Sequence, residues 1–207
     1  MRLLELFSGT GSVGRVFRAQ AWEVVSLDLN GRADITANVL DWDFTTFPDD
    51  HFDCIWASPP CTEYSIARTT ARAPRNLELA DAIVQRTLEI IAYFGCAWWM
   101  ENPATGLLSH RPVVRDLPDP YTVSYCMFGR PYRKNTHLWT NVPFRDVRCV
   151  GNCGSVVDGR HEASAQRGGS GPGTARFSVD QLHAIPEGLV REVETATRAH
   201  LQSSGGG

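Results

Sequence analysis

The stretch LLELFSGTGSVG at residues 3–14 joins an apolar run to a glycine-rich loop. Residues 3–7 predict a short strand, and residues 9–14 have the G-x-G-x-x-G spacing that lets a backbone approach a ligand closely. A helical pattern and a second strand at 24–27 follow, and that strand ends in Asp28, about 20 positions after the first glycine. This βαβ pattern predicts a site for an adenosine-bearing ligand, either a nicotinamide cofactor or S-adenosylmethionine.

A rigid elbow follows the next apolar stretch, residues 52–57. Pro59 and Pro60 cannot continue a strand, because each lacks an N–H group and has a fixed φ. Cys61 is therefore expected at the carboxyl end of a core strand, where open α/β sheets bind their ligands and where a thiolate can act as a nucleophile. The alternative is an ordinary turn that carries a solvent-exposed thiol.

An acid follows another apolar strand, predicted at residues 96–100. Glu101 comes directly after this strand, and Pro103 is expected to stop it. Because parallel strands end at the same edge of a sheet, we expect Glu101 near Cys61, where a carboxyl group can hold or donate a proton. The alternative is that Glu101 caps a following helix.

In their order and spacing, these motifs resemble the cytosine-5 DNA methyltransferase family. The resemblance rests on residues 6–11, on residues 59–61 with Ser65 four positions later, and on the pair Glu101-Asn102. Residues 135–141 (NTHLWTN) also resemble the late strand that carries paired arginines in the family. The match covers most of the chain, up to about residue 142.

The resemblance implies an α/β fold: a Rossmann-like S-adenosylmethionine-dependent methyltransferase domain with a mostly parallel central sheet. It implies S-adenosylmethionine binding by Phe7, Gly9, Gly11, Asp28, Asp41 and Pro59. It implies catalysis by Cys61, which would add to cytosine, together with Glu101, Asn102, Arg133 and Lys134.

Two departures from the family pattern affect these expectations. The paired arginines appear as Lys134 and Thr136, with Arg133 adjacent, so the contact to the cytosine carbonyl is expected to be weaker or to come from Arg133. Only about 35 residues separate Asn141 from the closing helical segment, whereas domains typically exceed about 50 residues. We therefore expect no separate recognition domain, and either a very short target or help from a partner chain.

The predicted organisation is one domain in several segments. Residues 1–142 form the catalytic core, 143–175 a short irregular segment, 176–202 a closing helical segment broken at Pro186, and 203–207 a disordered tail. The longest helix is predicted at residues 76–94, and the run from Arg167 to Thr174 is expected to be a mobile loop.

The net charge of −3 argues against a protein that coats nucleic acid, although local basic groups remain available. Contacts to double-stranded DNA are expected from Ser65, Arg68, Arg72, Arg75 and Arg130. The chain has no apolar run long enough for a membrane span, and its six cysteines form no disulfide framework. These features predict a cytoplasmic protein, of a bacterium or of a virus infecting such a cell, that acts alone, as a homo-oligomer or with a partner subunit.

Three cysteines and a histidine raise the question of structural zinc. Cys149, Cys153 and His161 supply three of the four ligands that zinc prefers, and Cys126 is the candidate for the fourth. The alternative is a set of reduced, unligated cysteines in an irregular loop.

The predicted function is transfer of a methyl group from S-adenosylmethionine to carbon 5 of cytosine in DNA, as in restriction-modification systems. Three alternatives stay open at this point: a cytosine-5 methyltransferase acting on tRNA, a non-catalytic accessory module that binds S-adenosylmethionine or DNA, and a nicotinamide-dependent oxidoreductase.

Overall fold

The computed structural model describes residues 1–66, 73–165 and 177–204. The strands of its central sheet are β1 (Arg2–Leu6), β2 (Glu23–Asp28), β3 (Ile35–Thr36), β4 (Cys54–Ala57), β5 (Ala97–Pro103), β6 (Tyr121–Ser124) and β7 (Asn135–Thr140). A separate hairpin consists of β8 (Val156–Val157) and β9 (Arg160–His161). The helices are α1 (Ser12–Ala19), α2 (Leu77–Phe94), α3 (Val179–His183) and α4 (Glu187–Ser204). Short 3-10 segments lie at Phe44–Thr46, Leu108–His110, Pro112–Val114 and Tyr125–Phe128.

The central sheet has the strand order β3-β2-β1-β4-β5-β7-β6. Strands β1 to β5 are all parallel to one another, and β7 runs antiparallel to both β5 and β6. The carboxyl ends of β1, β2, β4 and β5 therefore meet at one edge of the sheet. The predicted Rossmann-like architecture with a mostly parallel sheet is confirmed.

Both faces of the sheet are buried, and alternate residues of each strand serve different cores. On one face, Leu4 and Ile55 pack with residues of α2 such as Val84 and Ile90. On the other face, Leu3 and Trp99 pack with residues of α1 and α4. This burial on both faces explains why the strands read as nearly continuous apolar runs.

The carboxyl-terminal helix completes the second core. The indole Nε1 of Trp22 donates to Glu194 Oε1 over 2.8 Å, and the indole Nε1 of Trp99 donates to Thr197 Oγ1 over 2.9 Å. Ile185 N also donates to Ser12 Oγ. The closing segment thus packs on the core, with its predicted break confirmed between α3 and α4.

Strand β5 is longer than predicted. It runs through Glu101 and Asn102 to Pro103, because β7 pairs with each of these residues on its open side. The alternative in which Glu101 caps a helix is therefore wrong. Proline can occupy this last strand position because its missing N–H is not needed for the ladder to continue.

Three further expectations either need correction or concern residues outside the described part of the chain. Helix α4 has the same 18-residue length as α2, so the segment at 76–94 is not uniquely the longest helix. Helix α4 also extends to Ser204, so the predicted disordered tail does not begin at Ser203, and residues 205–207 lie outside the described part of the chain. The predicted mobile loop from Arg167 to Thr174 lies outside it as well.

Candidate active site

The loop between β1 and α1 turns sharply at three residues of left-handed backbone conformation. Phe7, Gly9 and Gly11 have φ values of 59°, 50° and 65°. The loop is tied to the end of β2, because Gly9 N donates to Asp28 Oδ2 over 2.8 Å. Left-handed backbone is disfavoured for residues with a Cβ, so the two glycines let the loop turn with little strain.

A cavity of about 260 Å³ opens at the carboxyl edge of the sheet. One side is formed by the β1–α1 loop together with Glu5 and Asp28, and another by the elbow at residues 58–62. Glu101 and Lys134 also line it. The structure thus brings together the glycine loop, the cysteine elbow and the acid that the sequence placed at this edge.

The side chain of Asn102, on the neighbouring strand β5, fixes the backbone of the elbow. This side chain is completely buried, and its Nδ2 donates to the carbonyl oxygen of Pro59 over 2.9 Å. Ser58 N donates to Leu6 O, and Tyr64 N donates to Cys61 O over 3.1 Å. The elbow is consequently held on both sides of the Cys61 thiol.

The environment of Cys61 favours the neutral thiol. Burial raises the pKa of this thiol, the negative charge of Glu101 raises it further, and the positive charge of Lys134 lowers it. In the ligand-free protein, therefore, the thiol requires removal of a proton before it can act as a nucleophile.

Glu101 is held by a buried tyrosine. It is 5% exposed, and the hydroxyl of Tyr125 donates to its Oε1 over 3.1 Å. Burial and the charge of Glu101 raise the pKa of Tyr125 well above its usual value, so the hydroxyl stays protonated and remains a donor. Lys134 Nζ lies 4.8 Å from the centre of the Tyr125 ring and donates to Leu182 O.

Glu5 is a cavity residue that the sequence analysis missed. It is 2% exposed, and burial raises the pKa of its carboxyl group to about 7. A hydrogen bond from the backbone N–H of Gly14 and the positive charge of Arg18 lower this pKa, but burial has the larger effect. The signal available in the sequence was a single acid inside the apolar stretch LLEL. Tyr125, His183 and Ile185 were missed too, because no motif marks them.

The segment behind Cys61 is anchored to α2. Tyr64 OH donates to Asp81 Oδ1 over 2.8 Å, and Arg111 makes a paired contact with the same carboxylate. Arg75 donates to the carbonyl oxygen of Glu63. These contacts fix the two ends of the loop that follows the elbow.

The predicted cofactor-binding, catalytic and DNA-contacting residues that the structure describes form three groups, according to whether they line the cavity, lie next to it or lie elsewhere. The cavity is lined by Phe7, Gly9, Asp28, Pro59, Cys61, Glu101 and Lys134. Adjacent to it lie the buried Asn102 and Gly11 at the start of α1. Outside the lining are Asp41, Ser65, Arg75, Arg130 and Arg133.

Three of these placements differ from what the resemblance implied. Asp41 is exposed and accepts a hydrogen bond from Asn38 Nδ2. Arg133 is exposed, and it is Lys134, one position later, that reaches the cavity. Arg130 donates to Ala184 O. Arg68 and Arg72 lie outside the described residues.

The four candidate metal ligands lie together, away from this cavity. The ligand atoms of Cys126, Cys149, Cys153 and His161 are all within 4.8 Å of one another.

Comparison with known proteins decides the family. The chain is 34% identical over 200 residues to a protein of Frog virus 3 (isolate Goorha) named "Probable DNA (cytosine-5)-methyltransferase", with 85% of this chain and 92% of the viral protein covered. The chain belongs to the DNA (cytosine-5)-methyltransferase family. Membership of this family of S-adenosylmethionine-dependent enzymes excludes the nicotinamide-dependent oxidoreductase. A scan against models of protein families gives no match.

Solved structures support the methyltransferase fold. A proposed DNA modification methyltransferase encoded within a prophage (E. coli) matches with a TM-score of 0.52 at 13% identity, covering 68% of this chain. The methyltransferase EhMeth of Entamoeba histolytica matches with a TM-score of 0.52 at 15% identity, covering 70%. The chain covers 46% and 54%, respectively, of those two structures, so it matches about half of each. None of the described helices of this methyltransferase is both long enough and apolar enough to cross a bilayer.

Proposed function

We propose that this protein methylates carbon 5 of cytosine in double-stranded DNA through a covalent adduct with Cys61. The observation that carries the proposal is the shared cavity of Cys61, Glu101 and Lys134 beside the glycine loop. A cytosine carbon 5 is a poor nucleophile by itself, and addition of a thiolate to carbon 6 makes it electron-rich. The two elements needed for that activation, a cysteine and a proton-holding acid, lie on adjacent strands.

Glu101 is proposed to hold the proton at ring nitrogen 3 of the base. When the Cys61 sulfur bonds to carbon 6, the electron pair displaced from the ring double bond is stabilised by that proton. The negative charge of Glu101 opposes ionisation of the thiol, so a proton shared between Glu101 and the base favours the thiolate. Tyr125 keeps the carboxyl group in place through its hydroxyl.

Lys134 supplies the cation of the site. Its charge lowers the pKa of the Cys61 thiol, and its Nζ is held by Leu182 O and the Tyr125 ring. We propose that Lys134, and not Arg133, contacts the carbonyl group of the base, because only Lys134 of these two lines the cavity.

The residues of the glycine loop fit S-adenosylmethionine. Asp28 suits the ribose hydroxyls of this cofactor, and Glu5 suits its ammonium group, whose positive charge would favour the ionised form of this buried acid; the tight turn at Gly9 leaves room for the cofactor. When bound, the cofactor supplies an electrophilic methyl group for carbon 5. The carbon-5 proton then leaves to a base, and the Cys61–carbon-6 bond breaks to return the sulfur electrons and free the product.

The target base must leave the DNA stack to reach Cys61. Both faces of a stacked base are covered, and extrusion costs a few kcal/mol. The segment from Thr62 to Arg75 follows the elbow and is anchored at Tyr64 and Arg75. We propose that this segment, with Ser65, Arg68 and Arg72, contacts the displaced nucleotide and its phosphates.

Labelled S-adenosylmethionine tests the proposal. The protein is incubated with double-stranded DNA, tRNA or free nucleotides, and the methylated base is identified after digestion. Methyl transfer to cytosine carbon 5 of DNA is expected for the native protein and for Cys96→Ala, a half-buried cysteine that lies outside the cavity. Cys61→Ala should be inactive while binding the cofactor normally.

A mechanism-based substrate supplies a second readout. DNA carrying 5-fluorocytosine should become covalently attached to the native protein, because fluorine cannot leave as a cation and the adduct cannot collapse. Full activity of Cys61→Ala would contradict the covalent mechanism. Methylation of tRNA but not of DNA would indicate that the substrate is RNA. Cofactor binding without methylation of any substrate would favour the non-catalytic accessory module.

A further inference from the structure

The side chains of three cysteines and one histidine lie close together beside the hairpin β8–β9. Cys126 lies in the 3-10 segment that follows β6, Cys149 follows the bridge between Val123 and Val147, and His161 is in β9. Cys153 lies between Cys149 and β8. Their ligand atoms are all within 4.8 Å of one another, although the four residues come from a span of 36 positions in the sequence (126 to 161).

Two sulfur–nitrogen distances in the cluster match those of a tetrahedral metal site. His161 Nε2 lies 3.5 Å from Cys149 Sγ and 3.4 Å from Cys153 Sγ. In a tetrahedral zinc centre with Zn–S near 2.3 Å and Zn–N near 2.0 Å, the separation between sulfur and nitrogen is about 3.5 Å. The two observed separations equal the one that a shared zinc ion would set, and they also lie within the range of a hydrogen bond between a thiol and an imidazole.

The segment that carries these ligands has little core of its own. Strands β8 and β9 have two residues each, and an isolated two-stranded hairpin is at best marginally stable in water. Val150 and Val157 are 84% and 56% exposed. In contrast, Cys126 and Cys149 are buried. The buried centre of this segment is thus its ligand cluster, which is the pattern of a domain stabilised by metal.

Local contacts favour a ligand role for Cys149. Its backbone N–H donates to Ser124 Oγ over 3.0 Å, and its sulfur accepts from Gly151 N over 3.4 Å. An N–H group directed at sulfur stabilises a thiolate, which is the form that binds a metal. No disulfide is formed, since all three cysteines are free.

We propose that Cys126, Cys149, Cys153 and His161 bind one structural zinc ion. Soft thiolates and an imidazole select zinc over magnesium or calcium, which prefer oxygen ligands. Four protein ligands leave no open position, so the ion stabilises structure and does not activate water.

The proposed zinc site is connected through the polypeptide chain to the cavity that is lined by Cys61 and Glu101. Cys126 directly follows Tyr125, whose hydroxyl holds Glu101. Ser155 Oγ donates to Arg130 O, and Ala163 N donates to Pro131 O. The metal-bound segment thereby supports residues 125–134. This second part of the inference rests on the proposed function, whereas zinc binding itself does not.

Metal analysis of the full chain, purified without chelators, tests the site. We expect one zinc per chain in the native protein and in Cys96→Ser, and at least a fivefold loss of bound zinc in the double variant Cys149→Ser/Cys153→Ser. Cys96 is the matched control because it is a half-buried free cysteine outside the cluster.

Cobalt replacement keeps the test independent of whether the double variant folds. Zinc is removed from the native protein and Co²⁺ is added, and we expect sulfur-to-cobalt charge-transfer bands with the strong visible absorption of a tetrahedral site. Removing zinc should also lower the melting temperature, and adding it back should restore it. Absence of both zinc and a tetrahedral cobalt spectrum, or a disulfide between two of these cysteines in the freshly purified protein, would overturn the proposal.

Discussion

The side chain of Asn102 on β5 holds the elbow that follows β4, with Asn102 Nδ2 2.9 Å from the carbonyl oxygen of Pro59. The carbonyl belongs to the second residue before Cys61, so this hydrogen bond fixes the backbone from which the thiol projects. Because Asn102 is next to Glu101, one strand end sets both the acid and the cysteine. The proposed chemistry depends on this common support.

Replacing Asn102 with alanine should slow methyl transfer with little effect on the cofactor. Loss of the donor leaves a buried carbonyl without its partner, which costs about 1–3 kcal/mol. We expect kcat to fall at least tenfold and the dissociation constant for S-adenosylmethionine to change less than twofold. Steady-state kinetics at saturating substrate and calorimetry measure the two quantities, and an unchanged kcat would contradict the positioning role.

Tyr125→Phe should weaken catalysis while preserving the fold. The variant removes only the hydroxyl that donates to Glu101, an interaction with a charged group worth about 1.5–3 kcal/mol. We expect at least a tenfold lower single-turnover rate. Tyr132→Phe is the control, since Tyr132 is equally buried but its hydroxyl donates to Gln181 O. Equal rates for both variants would argue against the role of Tyr125.

Gly14→Ala should destabilise the contact between α1 and the sheet. A Cβ at this position would collide with the carboxylate of Glu5 and lie 3.1 Å from Val24 Cγ1. Overpacking of this kind costs about 1–3 kcal/mol, and urea unfolding measures it. Gly154→Ala, where a Cβ meets nothing within 4 Å, is the control that should unfold as the native protein does.

The buried carboxyl group of Glu5 should make stability fall as the pH rises. Burial raises its pKa from 4.5 to about 7, so between these values the folded protein binds more protons than the unfolded chain. The stability that Glu5 contributes is therefore complete below pH 4.5 and is lost as the pH rises through 7, by up to about 3 kcal/mol.

Glu5→Gln tests this dependence. The variant should gain free energy of unfolding relative to the native protein when the pH changes from 5 to 8, as measured by urea unfolding without cofactor. The exposed residue Glu23 offers a control, Glu23→Gln, which should follow the native curve. A difference between the native protein and Glu5→Gln that stays constant from pH 5 to 8 would contradict protonation of Glu5 in the fold, whereas the native curve alone also includes other groups such as His137, whose pKa is lowered by burial.

DNA binding should depend steeply on salt and weakly on sequence. The exposed Arg133 and the Arg side chains of the segment that follows the elbow are expected to contact phosphates, and each good base contact gives only about 1–3 kcal/mol of discrimination. We expect methylation of random DNA, read by sequencing, at a very short or degenerate cytosine context. A strict six-base-pair site would reveal a recognition element in residues 149–174 or in a partner subunit.

The sequence predicted the elements that surround the cavity because parallel strands end at one edge of a sheet. The apolar strands before Asp28, Pro59 and Glu101 predicted that these residues share one edge of the sheet. That Cys61 and Glu101 line one cavity depends in addition on the pairing of β4 with β5. The placement of Lys134 instead of Arg133 could not be predicted in this way. Neighbouring residues near a strand point to opposite sides, so a shift of one position changes which side chain enters the cavity.

The hydrogen bond from Tyr125 to Glu101 was equally beyond prediction. It joins residues 24 positions apart through the turn after β6, and its geometry depends on how that turn packs. The four candidate metal ligands were identified by residue type and spacing, whereas the sequence could not show that the 3-10 segment brings Cys126 close to the other three. The early end predicted for β5 was wrong because pairing with β7 extends that strand through Pro103.

Helix α4 is synthesised long after the residues that it covers in the core, and this order has a consequence for biosynthesis. Trp22 and Glu194, which share a buried hydrogen bond, are 172 positions apart. At translation rates of about 5–20 residues per second, about 10–35 s pass between the synthesis of Trp22 and the synthesis of the helix that covers it. During that interval the nascent chain exposes Leu3 and Trp22, and after its own synthesis Trp99, to other proteins. Expression at low temperature or with a chaperone should therefore raise the soluble yield.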